Sequence, residues 1–205
     1  MRKAQKRSSY HHGDLPAALV EATLELIHEN GVHSFSVAEA ARRTGVSISA
    51  PYRHFADRDE LLAACATAAC EELKRSFDPA LAAHEAPADQ LAAAIAAYVR
   101  FAAERRPMFE ALFGAGLDKS RYPALAEASA AVLEAVATPA RKLAPGGDEE
   151  ATAILVEALA SLAQGYATML LEGNFGEPPE AVDIAAERAA AATAALLRGR
   201  SLLFP

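Results

Sequence analysis

Through most of the chain the apolar residues recur every three or four positions, the period of helices with one buried face. In the first such stretch, Leu19, Thr23, Leu26 and Ile27 mark a core face, with Asp14 as N-cap and the helix running to Asn30. Val37, Ala40 and Ala41 form a short second stripe that stops at Gly45. A third run, Ile48 to Phe55, anchors on Phe55. A fourth carries Leu61, Leu62, Cys65, Ala69 and Leu73 from Asp57 to about Phe77, where Asp78-Pro79 is expected to end it. Further helices are expected over about 88–105, from Met108 to Phe113, and from Pro123 to an interruption near Pro139. Two more run from Asp148 to about Glu172 and from Glu180 to about Leu197. The pattern predicts an all-α fold of about nine helices.

The punctuation between the second and fourth helices is more specific than their periodicity. Ser36 and Glu39 have capping-box spacing, as do Asp57 and Glu60. Gly45 supplies the left-handed residue that closes a helix, Val46 plugs the turn, and Ser47 can cap the next helix. Two short helices joined by a tight turn make a helix-turn-helix, which inserts its second helix into the DNA major groove. Ser47, Ser49, Ala50 and Tyr52 are short or flat and cluster at the N-terminal end of that helix, where base edges and phosphates are reached. Pro51 costs one helical hydrogen bond, so a tight or slightly irregular first turn is expected, not a broken helix.

The net charge of −7 argues against a nucleic-acid partner until its distribution is considered. Residues 1–60 balance to zero, and the whole excess of acid lies in 61–205. Arg2, Lys3, Lys6 and Arg7 stand in a stretch without acids, and Arg42, Arg43 and Arg53 face Glu39 alone within 31–56. Positive charge therefore concentrates on the arm and the motif, while an acidic body repels DNA and orients the head.

From Asp14 to about Leu62 the chain resembles the TetR family of transcriptional regulators. The resemblance is carried by Gly45-Val46-Ser47, by Tyr52, His54 and Phe55, and by Arg58 with Leu61-Leu62. Glu29-Asn30-Gly31 and Phe35-Ser36 precede them in register. Two positions depart from it: Pro51 stands where most members carry leucine, and Arg58 where most carry lysine. The resemblance implies a homodimer in which a three-helix DNA-binding head precedes a larger regulatory body. A small molecule bound in that body releases the head from a palindromic operator, usually ending repression. On this basis the chain divides into a basic arm (1–13), a DNA-binding domain (14–60) and a ligand-binding and dimerisation domain (61–205). The expected DNA contacts are Ser36, Thr44, Ser47, Ser49, Ala50, Pro51, Tyr52, Arg53, His54 and Arg58, with Ser36, His54 and Arg58 on phosphates.

The eighth helix carries too many apolar residues for one buried stripe, so Ile154, Leu155, Ala158 and Leu162 are expected at a dimer interface with the alanine-rich last helix. Aromatic and sulfur-bearing residues are expected around an apolar ligand: Tyr98, Phe101, Phe109, Phe113, Tyr122, Tyr166 and Met169. The run from Tyr98 through Pro107-Met108-Phe109 to Gly114 resembles a regulatory domain found with this type of head. Its usual Trp-His-Gly element is replaced here by Ala163-Gln164-Gly165.

The remaining chemistry is sparse. Cys65 and Cys70 lie on different sides of one helix and read as buried hydrophobes in a reducing cytoplasm. His11-His12 lacks a third ligand, so no metal or other cofactor is expected. No nucleophile triad, phosphate loop or zinc motif supports an enzyme. Glu157, Ser161 and Gln164 interrupt the longest apolar run, which argues against a membrane span. A helical interaction module or a small helical enzyme are the competing readings; salt-sensitive binding to specific DNA separates the expected cytoplasmic regulator from both.

Overall fold

A computed structural model of the chain describes residues 14–114 and 116–204; the basic arm lies outside them. Among the described residues the fold is all-helical, with eight α-helices: α1 (Leu15–Asn30), α2 (Val37–Thr44), α3 (Arg58–Ala82), α4 (Pro87–Glu104), α5 (Arg106–Phe109), α6 (Pro123–Arg141), α7 (Glu149–Leu171) and α8 (Glu180–Arg198).

The third expected helix, Ile48 to Phe55, is the one without an α-helical counterpart. Between α2 and α3 the chain makes a 3-10 turn at Pro51–Arg53 instead of an α-helix. Proline at 51 has no N–H to bond the Ser47 carbonyl. Ala50 takes that carbonyl one residue early, at 2.9 Å, and Arg53 repeats the three-residue step onto Ala50 at 3.2 Å. The irregularity expected of the first turn thus extends through the segment.

Elsewhere two prolines were expected to break helices that in fact run on. α3 passes through Pro79 to Ala82, and α6 passes through Pro139 to Arg141. Each proline sits in the last turns, where few later N–H groups depend on an unbroken ladder. The helix expected over Met108–Phe113 is instead α5 followed by a π-turn, Glu110–Gly114.

Two apolar cores share α3. The head core gathers Leu19, Leu26 and Ile27 from α1, Phe35, Val37 and Ala40 around α2, Phe55, and Leu61, Leu62 and Cys65 from the start of α3. The body core continues along the same helix through Ala69, Leu73 and Phe77 and surrounds α4, which packs against α3, α6, α7 and α8. The expected boundary after residue 60 therefore falls inside α3. The π-turn joins the two cores: Ala111 is buried in the head core, whereas Leu112 packs in the body core.

α7 buries Leu155, Leu159, Ala163 and Ala167 at four-residue spacing in the body core. By length and composition it is also apolar enough to cross a membrane, contrary to the expectation drawn from Glu157, Ser161 and Gln164. One charge among three polar residues does not outweigh the leucines and alanines around it. The buried stripe, however, places the helix against the chain's own core.

Candidate nucleic-acid interface and the cavity behind it

The head presents residues 47–54 as a surface held at both ends by caps. Ser36 Oγ accepts the Glu39 N–H at 3.2 Å and starts α2. The return arm of that capping box is not made, because the Glu39 carboxylate binds Arg42 instead. Gly45 closes α2 at φ +73°, a left-handed conformation that costs glycine little and other residues roughly 1–2 kcal/mol. Asp57 Oδ1 accepts the Glu60 N–H at 2.8 Å, and Glu60 answers by accepting from the Ala56 N–H.

Between these caps the expected contact residues divide by exposure. Ser36, Ser47, Ser49, Tyr52, Arg53 and His54 are exposed, and Thr44 and Ala50 are half-buried. Pro51 is buried against the head and is withdrawn from the contact set. Ser47 does not cap a backbone N–H; its hydroxyl lies 3.2 Å from that of Ser49. Thr44 spends its one hydroxyl proton on the carbonyls of Ala40 and Ala41, at 3.1 and 3.0 Å. Ile48, which the pattern reading passed over, is 64% exposed beside Tyr52 at 53%. The signal was available: an isoleucine two residues after the Val46 plug falls off the core face.

Arg58 has an intramolecular role that its sequence position does not reveal. Its guanidinium donates to the Val32 carbonyl at 2.6 Å and the Phe35 carbonyl at 3.3 Å, and lies 4.2 Å from the Phe35 ring centroid. It ties the loop between α1 and α2 to the first turn of α3. Arg43 is similarly engaged by Glu29 and Glu25 of α1, which holds the Glu29 carboxyl below its ordinary range. Arg42 pairs with Glu39. The positive surface of the motif is therefore narrower than the charge count implies.

Behind the head lies a cavity of about 460 Å³ between α3, α4, α6, α7 and the π-turn. Its walls include Leu73, Phe77, Ile95 and Val132. Of the seven expected ligand contacts, Tyr98 and Phe113 line it. Phe109 stands behind them, 6.0 Å from the Tyr98 ring and 4.9 Å from the Phe113 ring. Phe101 is buried in the body core away from the cavity. Tyr122 packs at the edge of that core, Tyr166 stacks on Phe175 at 6.0 Å, and Met169 is exposed. Aromatic rings found one another here more than they found the cavity, whose lining is largely aliphatic.

The polar groups of the cavity are few. The Tyr98 hydroxyl donates to Gln164 Oε1 at 2.5 Å, joining α4 to α7, and burial pushes the phenol well above its ordinary range. Gln164 thus fills a wall position within Ala163-Gln164-Gly165. Cys70 Sγ lies 3.5 Å from Ser129 Oγ, and burial raises its thiol while Ser129 and Lys119 oppose the rise. Cys65 is buried in the head core, with its thiol pushed up to about 12 by burial.

Leu155 is fully buried within the chain's own core and is withdrawn from the expected dimer set. Ile154, Ala158 and Leu162 are half-buried. Next to them α7 exposes Ala160, Ser161, Gly165 and Met169, and α8 exposes Ile184.

Comparisons with known proteins give the same reading over both parts of the chain. Residues 19–65 match the family described as bacterial regulatory proteins, tetR family. Residues 91–193 match the tetracyclin repressor-like C-terminal domain. The HTH-type transcriptional regulator BetI of Escherichia coli is 46% identical over 46 residues, a match covering 22% of this chain and 24% of that regulator. A Rhodococcus sp. RHA1 protein of unknown function is 26% identical over 94% of this chain and 98% of its own, with a TM-score of 0.76. The TetR family transcriptional regulator PfmR of Thermus thermophilus shares the fold at 21% identity, covering 87% of this chain and 96% of its own, with a TM-score of 0.61.

Proposed function

The chain belongs to the TetR family of bacterial regulatory proteins, and from that premise we propose that it is a repressor that binds a palindromic operator as a homodimer and leaves it when a small, mostly apolar molecule fills the body cavity. The observation that carries this reading is the exposed 47–54 surface, rigidly capped by Ser36, Gly45 and Asp57. Ser47, Ser49, Ala50, Tyr52 and Ile48 form the base-side face, with apolar contact to thymine methyls open to Ile48. Ser36, Arg53 and His54 take the phosphates; Arg58 positions the loop beneath them. As a reader of chromosomal DNA the protein acts in the cytoplasm.

Dimerisation uses α7 and α8, whose exposed faces combine apolar residues with small ones that permit close helix packing. Two-fold symmetry of the protein then requires two-fold symmetry of its site. Release follows from population shift: the ligand must prefer the dimer with badly placed heads. The π-turn supplies the physical link. Leu112 and Phe113 line the cavity, while Ala111 is buried in the head core and the Gly114 backbone lies close to Val32. A molecule that displaces the first pair moves the second.

Capture of genomic DNA by the purified chain, followed by gel shift on the recovered promoters, tests the reading. Specific binding to an inverted repeat that weakens steeply with salt is expected. Affinity that is equal for all sequences overturns it.

A further inference from the structure

Among the described residues, one charged group stands on the cavity wall. Lys119, in the turn before α6, lines it together with sixteen uncharged residues. The lysine is half-buried, and none of the ion pairs among the described residues includes it. The carboxylate beside it in sequence is engaged elsewhere: Asp118 Oδ1 accepts from the Ser120 N–H at 3.1 Å and the Ser120 hydroxyl at 2.6 Å. The Lys119 ammonium instead lies 5.6 Å from the Phe113 ring centroid. Cys70 and Ser129, whose Sγ and Oγ lie 3.5 Å apart, line the same cavity.

A molecule that fills this space strips water from the ammonium. A neutral occupant leaves that desolvation unrepaid, whereas an anion offsets it with a charge-assisted hydrogen bond. The rest of the lining is mostly aliphatic and aromatic, and it demands an apolar body. We propose that the effector is an amphipathic monoanion, an apolar chain or ring bearing one carboxylate, whose charged end pairs with Lys119 and is joined there by the Ser129 hydroxyl. The apolar part lies along Leu73, Ile95 and Val132. The inference rests on the reading of the cavity as the effector site and adds to it the effector's chemical class.

Calorimetry of the full chain with decanoate, decanamide and 1-decanol tests it. These probes share one apolar tail and differ at the head. Decanoate is expected to bind roughly ten- to a hundred-fold more tightly than the other two, the range of one hydrogen bond to a charged group. Lys119→Met should erase that difference and Lys119→Arg should keep it. Decanamide binding as tightly as decanoate, or a preference surviving in Lys119→Met, overturns the anion assignment and leaves the cavity reading standing. Absence of binding by all three, or binding undiminished when Val132→Trp fills the space, overturns the cavity reading and this inference with it.

Discussion

Replacing Arg58 by methionine separates a phosphate contact from a structural tie. The substitution keeps the aliphatic stem and removes the guanidinium with its bonds to Val32 and Phe35 and its stacking on the Phe35 ring. A hydrogen bond to a charged group contributes roughly 1.5–3 kcal/mol and an exposed cation–π pair roughly 0.5–1. The Phe35 bond is long at 3.3 Å, and the side chain keeps 35% of its surface in water, so the low end of each range applies. The expected destabilisation is about 2–3 kcal/mol. For a chain of this size that lowers the thermal midpoint by roughly 4–12 °C. Circular dichroism melts measure this, and gel shift over a salt series measures the rest. Operator affinity should fall through loosening of the head, with the slope of log K against log salt unchanged. Arg58→Lys should recover part of the stability, since an ammonium keeps the charge and can donate to the carbonyls but lacks the planar fork that stacks on the Phe35 ring. The reasoning fails if Arg58→Met melts like the parent while the slope shrinks by about 0.9 for each phosphate that is no longer neutralised.

Four other substitutions follow from the same geometry. Tyr52→Ala should weaken operator binding by roughly 1–3 kcal/mol in gel shift while melting unchanged, since the ring is exposed; equal affinity in a folded variant removes Tyr52 from the interface. Leu155→Ala and Gly165→Glu, both on α7, should act oppositely. The first costs roughly 2–5 kcal/mol of stability in denaturant titration. The second leaves the protomer folded and shifts sedimentation toward monomer, because nothing lies within 4 Å of a Cβ at Gly165; a dimer insensitive to Gly165→Glu refutes the assigned face. Gly45→Ala should cost about 1–2 kcal/mol from backbone strain alone, since open space surrounds a Cβ there; a neutral melt contradicts the strain argument.

What the sequence made legible is chemistry that acts over a few residues. Ser36, Gly45, Asp57 and Asp148 cap where their neighbours say they should, because each makes its bond within four positions. Arg58 was not legible in this way. Its partners are carbonyls 23 and 26 residues back, and a backbone oxygen leaves no mark in the sequence. The prolines misled for a related reason: the cost of Pro79 and Pro139 depends on how much helix follows, which tertiary packing decides. The cavity was least legible. Leu73, Ile95 and Val132 have the spacing of ordinary core, and the aromatic residues that drew attention mostly pack on one another. The charged residue there, Lys119, stands in a turn, where lysine passes for solvent-facing.

Because α3 belongs to both cores, it works as a rigid arm. Its 25 residues span about 37 Å. Cys70, Leu73 and Phe77, on its far half, form part of the cavity wall, while Leu61 and Leu62 are seated in the head. A tilt of only about 5° over that length carries one end about 3 Å sideways, close to the rise of a single nucleotide step along DNA, roughly 3.4 Å. Under the proposed mechanism, an angular change small enough to be absorbed by side-chain repacking in the body would become a register error of about one base pair at the groove.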